Sequence, residues 1–271
     1  MPIITKVSRQ KRPGRYNIFL DGQYAFSVSE KTLAEYVLLK GQELSEEKIE
    51  ELKQFDQDAK VSELAAHYLS YQPRTIYEVL TYLDQKKASP QAAQRAVSEL
   101  SELGYLDDSQ YAKLFIKNNL HVGTDGPNSL RRKLQQKGVQ EDIIENRLAE
   151  VADSDWLAVG QKVVKSLNSK AGKISQRELG QKMRTKLLSH GFSGDLAQMV
   201  LDQAMSQEDS DQQLEALKQQ GIKAYKRTRR YQGTQRQQKM RTYLYQHGFS
   251  SGEIDAFLNG EIIPWDELEE Y

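Results

Sequence analysis

Asp107 and Asp108 are adjacent carboxylates, the kind of pair that can share a proton or hold a divalent cation. They follow Gly104-Tyr105-Leu106 at a point where a helix should begin, and an aspartate there more often caps the helix; no further ligand stands nearby. Glu46-Glu47-Lys48 has the E-x-K spacing of some nucleases, but it lies on an expected helix behind Ser45, not at a strand end. His190 and His247 each precede a glycine that should end a helix, where a cation complements the carbonyl-rich end. The chain has no cysteine and only four scattered histidines, which leaves no thiolate site and no cysteine nucleophile. The phosphate-cradling, dinucleotide-binding and zincin motifs G-x-x-x-x-G-K-[ST], G-x-G-x-x-G and H-E-x-x-H are absent. We expect no catalytic residue, no metal and no cofactor.

The chemistry the residues do offer is polyanion binding. Between Ala216 and Arg241 stand Lys218, Lys223, Lys226, Arg227, Arg229, Arg230, Arg236, Lys239 and Arg241, with no acid among them. Along a helix, Leu217, Gly221 and Tyr225 share a face with Leu214, whereas Lys223, Lys226, Arg227 and Arg230 lie opposite. Tyr225, Tyr231, Tyr243 and Tyr245 interleave these charges; cations that reach phosphates beside aromatic faces suit nucleic acid or an acidic protein surface. A second cationic stretch holds Lys162, Lys165, Lys170, Lys173, Arg177, Lys182, Arg184 and Lys186 against Glu178 alone. A third is Arg131-Arg132-Lys133, in which Arg131 shares the register of Arg184 and Arg241 and so hints at a basic ridge. For these last two a solvated helix face stays open beside the binding reading.

These side chains need elements to hold them. With 38% apolar residues, a mean hydropathy of −0.72 and little Gly or Pro, the 271-residue chain should be mostly helix, in several small units and not one large core. A repeat decides the architecture. Gln181 to Ser193 and Gln238 to Ser250 are identical at ten of thirteen positions. A fainter copy is Leu130 to Val139, and the faintest is Val79 to Ala88, with Lys87 where the others have glycine. In each, apolar residues four apart point inward on a polar helix, and the glycine after it accepts the left-handed C-cap conformation. A second helix follows each copy and another precedes it, including Val61 to Leu69 and Asp211 to about Arg230. The expected fold class is mainly α, tandem three-helix units in an elongated, curved array.

The first residues differ. Arg15 to Ser29 reads as two short strands around Asp21-Gly22, a strong hairpin signal, with Ile3 to Val7 as a third strand and the basic stretch Arg9 to Arg15 as the loop between them. Helices at Glu30 to Tyr36 and after the N-cap Ser45 should cover this sheet. We therefore expect a small α+β module over 1–57, three-helix units over 58–106, 107–153, 154–206 and 207–263, and an acidic tail over 264–271. Trp156 and Trp265 read as core or docking residues. No window is apolar enough for a membrane span, and MPIITKVSRQKRPGR lacks the apolar core of a signal peptide, so a cytoplasmic protein is expected.

Gly104-Tyr-Leu-Asp-Asp108 with Tyr111-Ala112, the [KR]-x-x-L-x-x-[KH]-G-[VF] pattern ending at Val139, and Gln238-Lys-Met through Tyr243-Leu-Tyr to Gly248-Phe249 resemble the RecX recombination regulators over about residues 60–260. The chain departs from the family around Asn118-Asn119-Leu120 and at Lys87. The resemblance implies a monomeric, non-enzymatic regulator of the RecA recombinase. It would lie along the groove of a RecA filament on DNA and inhibit ATP hydrolysis and strand exchange, in recombination, DNA repair and the SOS response. The implied partners are the RecA filament and single- or double-stranded DNA. The residues expected to face them are Lys218, Lys223, Lys226, Arg227, Arg229, Arg230, Arg236, Lys239, Arg241, Lys182, Arg184, Lys186, Arg131 and Arg132. Two other classes stay open, a DNA-binding protein that acts without RecA and an enzyme such as a nuclease; the second lacks a carboxylate cluster on a strand.

Overall fold

A computed structural model describes residues 1–11, 13–205 and 210–270. Arg12, the expected boundary between 206 and 207, and Tyr271 lie outside the described residues. The chain divides into two compact units, one of Met1–Leu114 with Leu134–Glu145 and one of Phe115–Lys133 with Asn146–Tyr271.

The first unit opens with the expected antiparallel sheet in the order β1 (Ile4–Arg9), β2 (Arg15–Leu20), β3 (Gln23–Ser29). Asp21 and Gly22 form the β2–β3 turn, both at positive φ, as a two-residue hairpin with matching twist requires. One face of the sheet buries Ile4, Ile18, Phe26 and Val28 against Leu38, Leu44 and Leu52. The covering elements are α1 (Glu30–Glu35) and α2 (Glu46–Leu69). The sequence reading places two helices where α2 runs unbroken through residue 57, because nothing between Glu46 and Leu69 is Gly or Pro. The first repeat is completed by α3 (Ile76–Gln85) and α4 (Pro90–Glu102) around Val79, Leu83, Ala96 and Leu100. Lys87 follows the helix at φ 61°, so the backbone keeps the turn of the other repeats although the glycine is missing.

The second repeat consists of α5 (Asp108–Val122), α6 (Pro127–Gln136) and α7 (Glu141–Ala149). Asp107 does cap α5, its Oδ1 accepting from the amides of Ser109 and Gln110 at 2.8 and 2.9 Å. The second unit contains the third repeat, α8 (Asp153–Val164), α9 (Gln176–Ser189) and α10 (Gly194–Ala204), with Trp156 buried. After α8 the chain forms a 3-10 segment, Lys165–Lys170, and Leu167 and Ile174 pack on the core of this repeat. The fourth repeat is α11 (Ser210–Arg227), α12 (Gly233–Gln246) and α13 (Ser251–Leu258). Residues expected as an acidic tail instead make a short helix, α14 (Trp265–Glu269), whose Leu268 is buried with Ile263 in that core. Among the described residues no helix is long and apolar enough to cross a membrane.

Candidate functional site

The cationic surface is built by the fourth repeat. Helix α11 buries Ala216, Leu217, Gln220, Gly221, Ala224 and Tyr225, which leaves Lys223, Lys226 and Arg227 exposed on the other side, as the spacing predicts. Leu214, the expected centre of the inner face, is instead exposed at its edge. The helix stops at Arg227 and not near Arg230. Thr228 is buried and its Oγ1 donates to the Ala224 carbonyl at 2.8 Å, so Arg229 and Arg230 stand exposed on the turn between helices.

The interleaved tyrosines organise these cations. The Arg227 guanidinium lies 5.3 Å from the Tyr243 ring centre, and Tyr231 carries Arg230 at 4.9 Å and Lys239 at 5.7 Å. Tyr243 is itself held by its hydroxyl, which donates to Gln220 Oε1 at 3.2 Å. Arg236 is different. It sits 3.7 Å from the Tyr225 ring centre, donates to the Tyr225 carbonyl at 3.2 Å and is half-buried, so it fastens α12 to α11.

The other expected residues divide in the same way. Arg241 pairs with Asp255, and Arg184 donates to Gln198 Oε1 at 2.7 Å; both reach the third helix of their own repeat, seven residues after the cap glycine. The shared register of Arg184 and Arg241 therefore marks an intramolecular brace. Lys182 pairs with Glu178 at 3.2 Å and Lys186 donates to Ser166 at 2.7 Å. Arg132 is exposed and reaches Ser129 at 3.4 Å, whereas Arg131 and Lys218 are half-buried. The densest run of exposed cations is Lys223 to Arg230, with Lys223, Lys226, Arg227, Arg229 and Arg230 all at the surface.

Local sequence patterns do not reveal the joints between repeats. In the second, third and fourth repeats the turn that ends the second helix docks on the start of the second helix one repeat earlier. Thr75 Oγ1 donates to the Lys137 carbonyl at 2.6 Å and Ser175 Oγ to the His247 carbonyl. Between them in sequence, the amides of Gly126 and Asn128 donate to the carbonyls of His190 and Gly191 at 2.8 and 3.0 Å. The cap glycines are thus needed twice: for positive φ, and because a Cβ would strike Tyr77 at Gly138, Ser129 at Gly191 or Ser175 at Gly248. Asp108, buried, adds to the first joint by accepting the Ile76 amide at 2.9 Å. Burial, with Asp107 and Glu78 nearby, pushes its carboxyl above the ordinary aspartate value. The capping spacings Thr75-x-x-Glu78 and Ser175-x-x-Glu178 are visible in the sequence, but they mark helix starts and not what docks on them.

At these joints Glu78 pairs with Lys137 at 2.8 Å and Glu178 with the His247 ring at 3.0 Å. The sequence assigns His190 and His247 to their own helix ends; they occupy the C-caps, but their rings turn to the preceding repeat, His190 Nδ1 meeting the Thr124 carbonyl at 3.0 Å. Burial works against ionisation of both glutamates, yet hydrogen bonds from Lys137 and Thr75 to Glu78, and from His247 and Lys182 to Glu178, hold them below the usual glutamate range. A lowered folded-state value means that their stabilising effect is complete above the usual glutamate range and is lost as pH falls through the lowered values. The urea midpoint should therefore fall on acidification, and Glu178→Gln should flatten that fall; an unchanged acid limb would show that the pair contributes nothing.

Sequence models of one family match four stretches of the chain. "Regulatory protein RecX N-terminal domain" matches residues 2–45, and the first, second and third three-helix domains of RecX match 63–100, 107–148 and 211–258. These last three fall on the first, second and fourth repeats. "Regulatory protein RecX" of Lactobacillus delbrueckii subsp. bulgaricus is 62% identical over 271 residues, all of both chains. A crystal structure of regulatory protein RecX is similar with a TM-score of 0.66 at 32% identity, over 74% of this chain and all of that one. RecX from Lactobacillus salivarius matches with a TM-score of 0.53 at 26% identity, over 55% of this chain and 96% of its own.

Proposed function

Because the chain belongs to the RecX family of regulatory proteins, we propose that it is a non-enzymatic regulator that binds the RecA recombinase filament in its groove and inhibits ATP hydrolysis and strand exchange. The observation that carries the reading is the exposed cationic segment from Lys223 to Arg230, backed by a buried helix face and flanked by Tyr231 and Tyr243. A filament groove lined by DNA phosphate and acidic side chains would attract this segment. The repeats suit a filament as well, since several small units that each engage one protomer gain strength together when their spacing matches the filament's.

The cofactor-free, cytoplasmic and monomeric character expected from the sequence belongs to the same reading. Titration into RecA with single-stranded DNA and ATP tests it. The DNA-dependent ATPase should fall at amounts of protein well below one per RecA protomer. Inhibition only at amounts that coat the DNA would instead favour a protein that competes for DNA without touching the recombinase.

A further inference from the structure

The N-terminal sheet has a face that none of the cationic repeats explains. Its inner side is covered by α1 and α2, but its outer side carries Lys6, Phe19 and Tyr24 in one row across the three strands, with Ser8, Asn17 and Ser27 in the next. This row is not what simple alternation produces. In β3, Tyr24 has the parity of the buried Phe26 and Val28 and would point inward. The register shifts between Ile18 and Phe19, so that Phe19 pairs with Tyr24 and Ala25 is the extra residue of a bulge. A second shift in β1, at Thr5, pairs Lys6 with the same Phe19, although Ile4 two residues earlier faces the core. Two bulges beside one phenylalanine thus bring a cation and a second ring to it. Phe19 and Tyr24 meet edge to face at 6.0 Å, Lys6 Nζ lies 5.4 Å from the Phe19 ring centre, and Tyr24 is 58% exposed.

We propose that this outer face is a binding platform for single-stranded nucleic acid. An exposed ring on an open sheet, here Tyr24 set against the half-buried Phe19, accepts an unstacked base, and small neighbours such as Ser8 let a strand approach closely. The charge fits a polyanion: the first 29 residues hold Lys6, Arg9, Lys11 and Arg12 against Asp21, while a fifth cation, Arg15, is taken up by the buried Asp56 at 3.1 Å. Arg9 and Lys11 are exposed where β1 leaves the sheet. The platform is independent of recombinase binding, and its test contains no recombinase.

The test uses the full chain with fluorescent oligothymidylate, oligouridylate and a blunt duplex. Tyr24→Ala with Lys6→Gln should weaken single-strand binding at least about fivefold and leave duplex binding unchanged. Loss in either single-strand arm supports the platform and identifies the strand it takes. Photocrosslinking of a bromodeoxyuridine oligonucleotide to the unaltered chain should label the peptide that holds Phe19 and Tyr24, a readout that needs no folded variant. Unchanged single-strand affinity in the double variant, equal losses for duplex, or crosslinks confined to α11 and α12 would overturn the proposal.

Discussion

Gly191→Ala lowers stability by about 3 to 4 kcal/mol, whereas Gly104→Ala costs about 1 to 2 kcal/mol. Both glycines end helices with positive φ, 87° and 75°, so alanine meets the same left-handed penalty at each. Their surroundings separate them. A Cβ at Gly104 meets nothing within 4 Å; one at Gly191 lies 2.5 Å from the Ser129 amide nitrogen and overlaps its side chain. That nitrogen belongs to the backbone and cannot swing aside as a flexible side chain would, so relief requires the joint between the second and third repeats to open. Urea unfolding followed by fluorescence of Trp156, buried in the third repeat, reads the difference. Equal losses at the two positions would mean that the joint tolerates a methyl group and that only backbone conformation matters.

Reversing Lys226, Arg227 and Arg230 together to glutamate should weaken binding to single-stranded DNA about a hundredfold at physiological salt and abolish inhibition of the recombinase ATPase at low protein ratios. Each cation that no longer meets a phosphate should make the slope of log affinity against log salt shallower by about 0.7, so the triple variant should lose about two from that slope. The fold should survive. All three side chains are exposed, and the ring interactions of Arg227 with Tyr243 and of Arg230 with Tyr231 contribute about 0.5 to 1 kcal/mol each at such sites. Unchanged affinity and slope together with unchanged inhibition would reduce the segment to an ordinary solvated surface.

Much of the helical order is legible in the sequence because its causes are local. Asp21-Gly22 makes a hairpin, Ser45 caps α2, and the glycines at 138, 191 and 248 end second helices, each through interactions within about four residues. Where one residue type stands in for another, local rules mislead. Lys87 makes the first repeat look like a weak copy although it keeps the turn, and the acidic composition of residues 264–271 hides the docking of Leu268 and of Trp265, whose indole donates to the Leu258 carbonyl at 3.0 Å. The continuity of α2 through residue 57 is hidden as well, because a change in composition there resembles a boundary.

From residue order alone the chain reads as a series of three-helix repeats behind a small sheet, with its densest cationic segment in the last repeat. Cap chemistry, apolar spacing and charge counts depend on residues close together in the chain. Three-dimensional packing settles which cations brace one helix against the next. Arg241 and Lys223 look alike in sequence, but Arg241 meets Asp255 on the following helix, whereas Lys223 lies across α11 from the core. It also dictates that cap glycines serve as joints and that two bulges set Lys6 and Tyr24 beside Phe19. Those outcomes turn on which groups fill a given few ångströms of space, and residues separated by about five to seventy positions supply them.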